Sequence, residues 1–306
     1  MDIDLAQLRA LRSAVDGGTF EAAARALHVT PSAISQRIRA LEVATGQVLL
    51  VRSRPVVVTP PGEAVLLLAR QVALLVADTA ARLDDGTGAR TAGWPTVPVA
   101  VNADSLATWF LPAVAPLAGR LCLDVHRADQ EDTAGLLRSG TVMAAVTTAE
   151  VPVPGCRATR LGVTRYRPMA TPGYVGRWLS GGATSEALAG APVVVFDRAD
   201  DLQHRWLRSR GVAGGSAAEH HVPGSADFLT AVRLGFGWGM VPELQLDDAD
   251  RRGRLVELAP GEGVDVELWW QQWKLRAASL DAVSDAVVAS ARRALAPSGD
   301  TTGETG

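Results

Sequence analysis

Apolar residues in the first sixty positions recur at helical spacing in three short blocks. Leu5, Leu8, Leu11 and Val15 lie three to four residues apart and stop at Gly17-Gly18, which predicts an amphipathic helix and its end. Thr19 is a good N-cap for a second helix carrying Phe20, Ala23, Ala24 and Leu27, and the alanines suit a close, steep helix crossing. After a turn at His28-Val29, Thr30 caps a third helix. Pro31 takes its first position, where a missing N–H costs nothing. Ile34, Ile38 and Leu41 share one face and are predicted core, while Ser32, Ser35, Gln36, Arg37 and Arg39 are left outside it. Leu49 to Val58 then reads as a two-stranded wing that places Arg52 and Arg54 near its tip.

The next block has a longer reach. From Gly62 to Asp84 no further glycine or proline interrupts the chain, so a helix of roughly 33 Å follows from 1.5 Å per residue. Its apolar stripe (Val65, Leu68, Val72, Leu75, Val76, Leu83) is broader than a small wing domain covers. Pairing with a second copy is the economical burial, and packing on its own chain is the alternative. Gly86 to Gly93 is predicted to be a hinge. Beyond Trp94 the pattern alternates strand and helix: strands at 96–102, 121–127, 142–147, 192–196, 220–222, 237–241 and 264–273, with helices at 105–117, 132–139, 200–210, 226–234 and 280–295. This predicts an α/β design with mainly parallel strands. The expected division is 1–60, 61–92, 93–296 and a disordered tail at 297–306.

The outer face of the third helix has the chemistry of a major-groove reader. Glutamine bridges the adenine edge, arginine the guanine edge, and serine contacts an edge or a phosphate. Thr30, Pro31, Ser32, Ser35, Gln36, Arg37 and Arg39 are the candidate readers, and Arg52 and Arg54 of the wing are candidate phosphate contacts. A solvated face of a small helical bundle is the bland alternative. With a net charge of only −3, any DNA affinity has to come from a local patch.

In order and spacing these sixty residues resemble the winged helix-turn-helix of LysR-type transcriptional regulators. Leu49-Leu50-Val51-Arg52 stands for the family's "LF.R" wing and Thr59-Pro60-Pro61-Gly62 for its "T.aG" helix start, with Leu50 where many members carry Phe. Asn102 to Trp109 (NADSLATW), Pro192 to Asp197 and Leu268-Trp269-Trp270 are similar to the ArgP/LysG (IciA) branch. The resemblance implies a fold of winged helix-turn-helix, long linker (dimerisation) helix and two-lobed α/β effector domain resembling periplasmic binding proteins. It also implies a homodimer or tetramer on a pseudo-palindromic operator in double-stranded DNA, contact with RNA polymerase in an activator, and a small effector, lysine or arginine. An architectural DNA-binding role, including inhibition of replication initiation without an effector, is the alternative; an enzyme carrying a DNA-binding head is a second.

Ligands of open α/β sheets sit outside the carboxyl ends of strands, where helix N-termini offer N–H groups. Three strand ends qualify, at Asp104-Ser105, Thr147-Thr148 and Phe196-Asp197. Ser105 and Thr147 suit an α-carboxylate, Asp104 or Asp197 suits a cationic side chain, and Trp109 suits its aliphatic stem. Helix capping (Asp104, Ser105), core packing (Trp109) and an Asp-rich loop with Asp200 and Asp201 (Asp197) are the competing roles.

The remaining features narrow the class. Cys122 and Cys156 have no metal-ligand spacing, adjacent His220 and His221 point to opposite faces of a strand, and no metal site is expected. Gly235 to Gly239 precedes a strand, so it is expected to allow close backbone packing rather than to bind phosphate. No nucleophile–base pair, P-loop or G-x-S-x-G elbow appears, so neither catalysis nor a cofactor is expected. With Asp2 and Asp4 at its start and no apolar run judged long enough to span a bilayer, the chain is expected to be cytoplasmic, without membrane association.

Overall fold

The computed structural model describes residues 2–83, 94–128, 130–212 and 218–297. The stretch 86–93 and the tail from residue 298 lie outside the described residues.

Local capping sets up the head. Asp4 and Gln7 form a reciprocal capping box on α1 (Leu5–Asp16). Thr19 accepts the Ala22 N–H at the start of α2 (Phe20–Ala26), and Thr30 that of Ala33 at the start of α3 (Pro31–Thr45). Ile34, Ile38 and Leu41 are buried against Leu11, Ala14, Ala23 and Ala24 as their spacing predicts. Leu5 departs from the stripe: it is exposed and borders an open space between α1 and the linker helix. The wing is β1 (Leu50–Val51) paired antiparallel with β2 (Val57–Val58).

Thr59 starts α4 (Pro60–Leu83) by accepting the Gly62 N–H at 3.1 Å and donating to the Val48 carbonyl at 2.6 Å. A Cβ on Gly62 would lie 2.1 Å from the Leu49 carbonyl oxygen, so only glycine lets the helix begin this close to the wing. Packing on the chain itself covers part of α4, and the rest of its apolar stripe is left part-exposed. Leu66, Ala69, Leu74 and Asp78 are buried on the chain itself, while Val65, Val72, Leu75 and Val76 stay part-exposed and Leu68 is 37% exposed. One expectation is corrected: by length and hydropathy this helix is apolar enough to cross a membrane. Here it lies against α1 and β3, with Arg70 and Asp78 engaged in polar contacts along its length.

The second half alternates β3 (Thr96–Val101), α5 (Ala103–Ser105), a π-turn at Leu106–Phe110, α6 (Leu111–Val114), β4 (Cys122–Arg127), α7 (Gln130–Arg138) and β5 (Ala144–Thr147). It continues through β6 (Cys156–Ala170), α8 (Pro172–Trp178), α9 (Ser185–Gly190), β7 (Val193–Val195), α10 (Leu202–Ser209), β8 (Glu219–His221), α11 (Ser225–Arg233) and β9 (Gly239–Pro242). β10 (Val256–Glu257), β11 (Val264–Trp273) and α12 (Ala278–Ala294) complete the fold. β6, α8 and α9 are absent from the sequence expectation.

The expectation of mainly parallel strands is also corrected. β3 runs parallel to β4 and β5, and β7 to β8, but β6 and β11 are antiparallel to each other and to their other partners, β5, β9 and β10. The reason is topological. β6 carries the chain out of one lobe into the other, and β11 brings it back alongside. The lobe I core gathers side chains of β3, the π-turn, β5, β11 and α12, including Val99, Phe110, Trp270 and Val283. The main lobe II core gathers Tyr174, Val193, Trp206 and Trp238. Gly237 fits the packing role expected of the glycine-rich segment, since a Cβ there would lie 2.8 Å from the Pro192 carbonyl oxygen.

Candidate DNA interface and effector cleft

On α3, Ser32, Gln36 and Arg39 occupy positions i, i+4 and i+7, a single exposed stripe; Ser35 and Arg37 flank it, part-buried. Thr30 is spent as the cap and shares a 2.9 Å hydrogen bond with Ser32, and Pro31 is exposed beside them. Among the described residues, Gln36, Arg37 and Arg39 have no side-chain hydrogen bond or ion pair. Their donors are therefore available to an outside surface. Arg52 lies over the Phe20 ring at 5.6 Å, anchoring the wing to α2. Arg54 pairs with Glu21 at 3.6 Å in solvent, a contact that screening leaves weak.

The three strand ends of the effector domain fare differently. β3 and β5 are parallel neighbours in register at Val99–Ala144 and Ala100–Ala145, so their carboxyl ends bring Asn102 to Ser105 beside Thr147. Ser105 is 2% exposed and its hydroxyl has no partner; Thr147 is buried and accepts the Ala149 N–H at 3.2 Å. Trp109 is 4% exposed within the lobe I core, with its indole N–H unpartnered. Asp197 turns onto its own loop, accepting the N–H groups of Ala199 and Asp200 at 2.8 and 3.0 Å.

Asp104 is the residue that reaches across the lobes. Tyr166 of β6 donates to its Oδ2 at 2.6 Å, and Ser225 at the start of α11 donates to its Oδ1 at 2.5 Å. Gln245 in turn donates to Ser225 Oγ. Burial, then the charge and hydrogen bond of Asp104, raise the Tyr166 phenol well above its ordinary range, so it stays a donor. Burial also raises the carboxyl of Asp200, the neighbour that accepts the Phe196 and Leu202 N–H groups. Tyr166, Asp200, Ser225 and Gln245 were invisible as site residues in the sequence. None lies within an element-ending motif, and the contacts to Asp104 span 62 and 121 residues.

A cavity of about 850 Å³ lies elsewhere, between α1, α4 and the β3–β4 edge. It is the space between head and lobe I, remote from these strand ends.

A capped three-helix head with a wing, a long apolar helix and a two-lobed α/β body crossed by two long strands define a helix-turn-helix regulator with a ligand-responsive domain. Residues 5–63 match the bacterial regulatory helix-turn-helix protein, lysR family, and residues 96–292 match the LysR substrate binding domain. The chain belongs to the LysR family of DNA-binding transcriptional regulators. It is 43% identical over 289 residues to the HTH-type transcriptional regulator LysG of Mycobacterium tuberculosis, covering 94% of each chain. The crystal structure of ArgP from Mycobacterium tuberculosis superposes with a TM-score of 0.86 at 41% identity, over 97% of this chain and 100% of that one. Full-length LysG from Corynebacterium glutamicum with bound effector Arg superposes with a TM-score of 0.78 at 37% identity, over 96% and 100%.

Proposed function

We propose that this regulator senses a basic amino acid, arginine or lysine, in the cleft beside β3 and β5, and controls genes of amino-acid export or metabolism. The observation that carries the reading is the pairing of opposite chemistries at one helix start. Asp104 offers an inter-lobe carboxylate for a cation, and the next residue, Ser105, holds a buried, unpartnered hydroxyl suited to an α-carboxylate. Thr147 extends the donor side, Trp109 backs it, and Asp197, on the loop after β7, is a further candidate carboxylate.

The head, residues 1–60, reads DNA through α3, with Arg52 and Arg54 on phosphates. Residues 61–92 pair two subunits through the apolar face that α4 leaves uncovered, and residues 93–296 take the effector. The working assembly is a cytoplasmic homodimer or tetramer on a pseudo-palindromic operator, engaging RNA polymerase where it activates. Effector binding favours one arrangement of the lobes and so changes the spacing of the paired heads. Couplings of this kind amount to about 1–3 kcal/mol.

Calorimetric titration of the full-length protein with L-arginine, L-lysine and L-leucine tests the reading. Saturable binding of the basic amino acids alone is expected. Binding of leucine with equal affinity, or of none of the three, overturns it.

A further inference from the structure

Gln245 closes the short 3-10 turn Glu243–Gln245 that follows β9, and the hydrogen bonds around it have only one consistent direction. A carboxylate accepts and cannot donate, so both hydroxyls at Asp104 give their protons to it. Ser225 has a single proton and has spent it. Its Oγ therefore accepts from Gln245, which turns the amide NH2 toward Ser225 and the amide oxygen away. That oxygen, Oε1, is buried and has no partner. Asn102 Oδ1, immediately before the α5 helix that carries Asp104, is a second buried amide oxygen without a partner. A buried acceptor is normally satisfied, so two of them, one linked to Asp104 through Ser225 and one capping the helix that carries Asp104, call for a ligand rich in N–H donors.

We infer that Gln245 is a specificity-determining residue of the cleft, its Oε1 accepting an N–H from the cationic end of the effector while Asp104 supplies the opposing charge. This rests on the reading of the cleft as a basic amino-acid site. It goes further by separating the two candidates. Each Asp104 oxygen already holds one hydroxyl proton, which reduces its capacity to receive a whole cation. A guanidinium presents five N–H donors in a rigid planar fork and no acceptor, so it can engage Asp104 and Gln245 together. An ammonium is a compact point charge with three donors on one nitrogen and reaches the two acceptors less well. A neutral ureido group brings a carbonyl into a site lined by acceptors and is rejected. Because Ser225 sets the direction of the Gln245 amide, it is a positioning residue for the same contact.

The test is calorimetry on the full-length protein with L-arginine, L-lysine and the neutral isostere L-citrulline. Wild-type protein is expected to bind arginine best, lysine more weakly and citrulline least. Gln245→Met keeps the side-chain length and removes the amide oxygen. It is expected to weaken arginine by tenfold or more and lysine by no more than threefold, so that the preference narrows. Ser225→Ala should narrow it in the same direction. Gln245→Glu restores an acceptor and should hold arginine more tightly than Gln245→Met, which keeps the test decisive if the methionine variant folds poorly. If wild-type protein binds arginine but Gln245→Met and Gln245→Glu bind it equally well, the assignment of Gln245 fails and the basic amino-acid reading stands. If wild-type protein binds neither arginine nor lysine, both fall.

Discussion

Asp250 shows how much one residue can carry when its surroundings leave it no alternative. It is 0% exposed, accepts from Arg233 at 2.5 and 3.1 Å and from Arg254 at 2.7 Å, and also holds the Asp247 N–H. Burial alone would raise its carboxyl, but the two guanidinium groups more than reverse this and hold it far below the usual carboxylate range. Asp250→Asn removes the buried counter-charge of two part-exposed arginines that keep Asp247 as a partner, and is expected to cost about 1–3 kcal/mol, measured by denaturant unfolding at pH 7. The pH dependence has a definite sign. A depressed folded value means the stabilisation is fully present above the unfolded carboxyl pKa of about 3.9, and is withdrawn as pH falls toward the folded value. The gap between wild type and variant should therefore narrow in melts taken near pH 3. At this scale the sequence spoke clearly only about neighbours. Thr19 and Thr30 were readable as caps because a cap bonds three residues away. The partners of Asp104 were not, because only the folded chain brings Tyr166 and Ser225 to it.

Among elements, the roles proposed for α3 and the wing predict separable contributions to binding. With the α3 stripe proposed to read base edges, Arg39→Ala or Gln36→Ala should lower the ratio of specific to random DNA affinity, by about 1–3 kcal/mol for a bidentate contact. Arg52→Ala should weaken both DNAs alike and flatten the salt dependence by about one unit of slope. Anisotropy titrations over a salt series separate the two, and equal losses on both DNAs from the α3 variants would remove that face from the reading role. The head was legible because its helices are short, capped and amphipathic, and those signals are local. β6 was hidden for the opposite reason. Its fifteen residues include Arg157, Arg160, Arg165 and Arg167, which break the apolar alternation that marks a strand. The structure neutralises two of them across strands, Arg160 with Glu267 and Arg165 with Asp265, and the facing residues lie a hundred positions further on. Missing that strand also forced the mistaken expectation of mainly parallel pairing.

For the whole molecule, the question is how lobe and head communicate within one chain. α4 is tied to lobe I at two points. Arg70 donates to the Ser139 carbonyl and Thr141 hydroxyl, each at 2.9 Å, and also to Asp16 of α1 at 2.9 Å. Further along, buried Asp78 accepts the Ser279 N–H at 3.0 Å, at the start of α12. Arg70 thus touches head, linker and effector domain at once, with a side chain only 14% exposed. Arg70→Ala should reduce the effector-induced change in operator affinity by about 0.5–2 kcal/mol, while effector affinity measured by calorimetry moves little. An unaltered response would place the communication at contacts between subunits instead.

The paired course of β6 and β11 fixes what kind of motion the lobes can make. The two strands stay hydrogen-bonded from Val264–Tyr166 to Trp273–Cys156, with one register shift between Leu268 and Trp269. A free swing about a point would break rungs of that ladder. Winding or unwinding the ribbon about its own length breaks none, and two-stranded ribbons already carry more twist than wider sheets. A ribbon of this kind would work as a torsion bar rather than a door hinge. Small ligands at the cleft would act on its wind, and the stiffness of the response resides in the strands themselves.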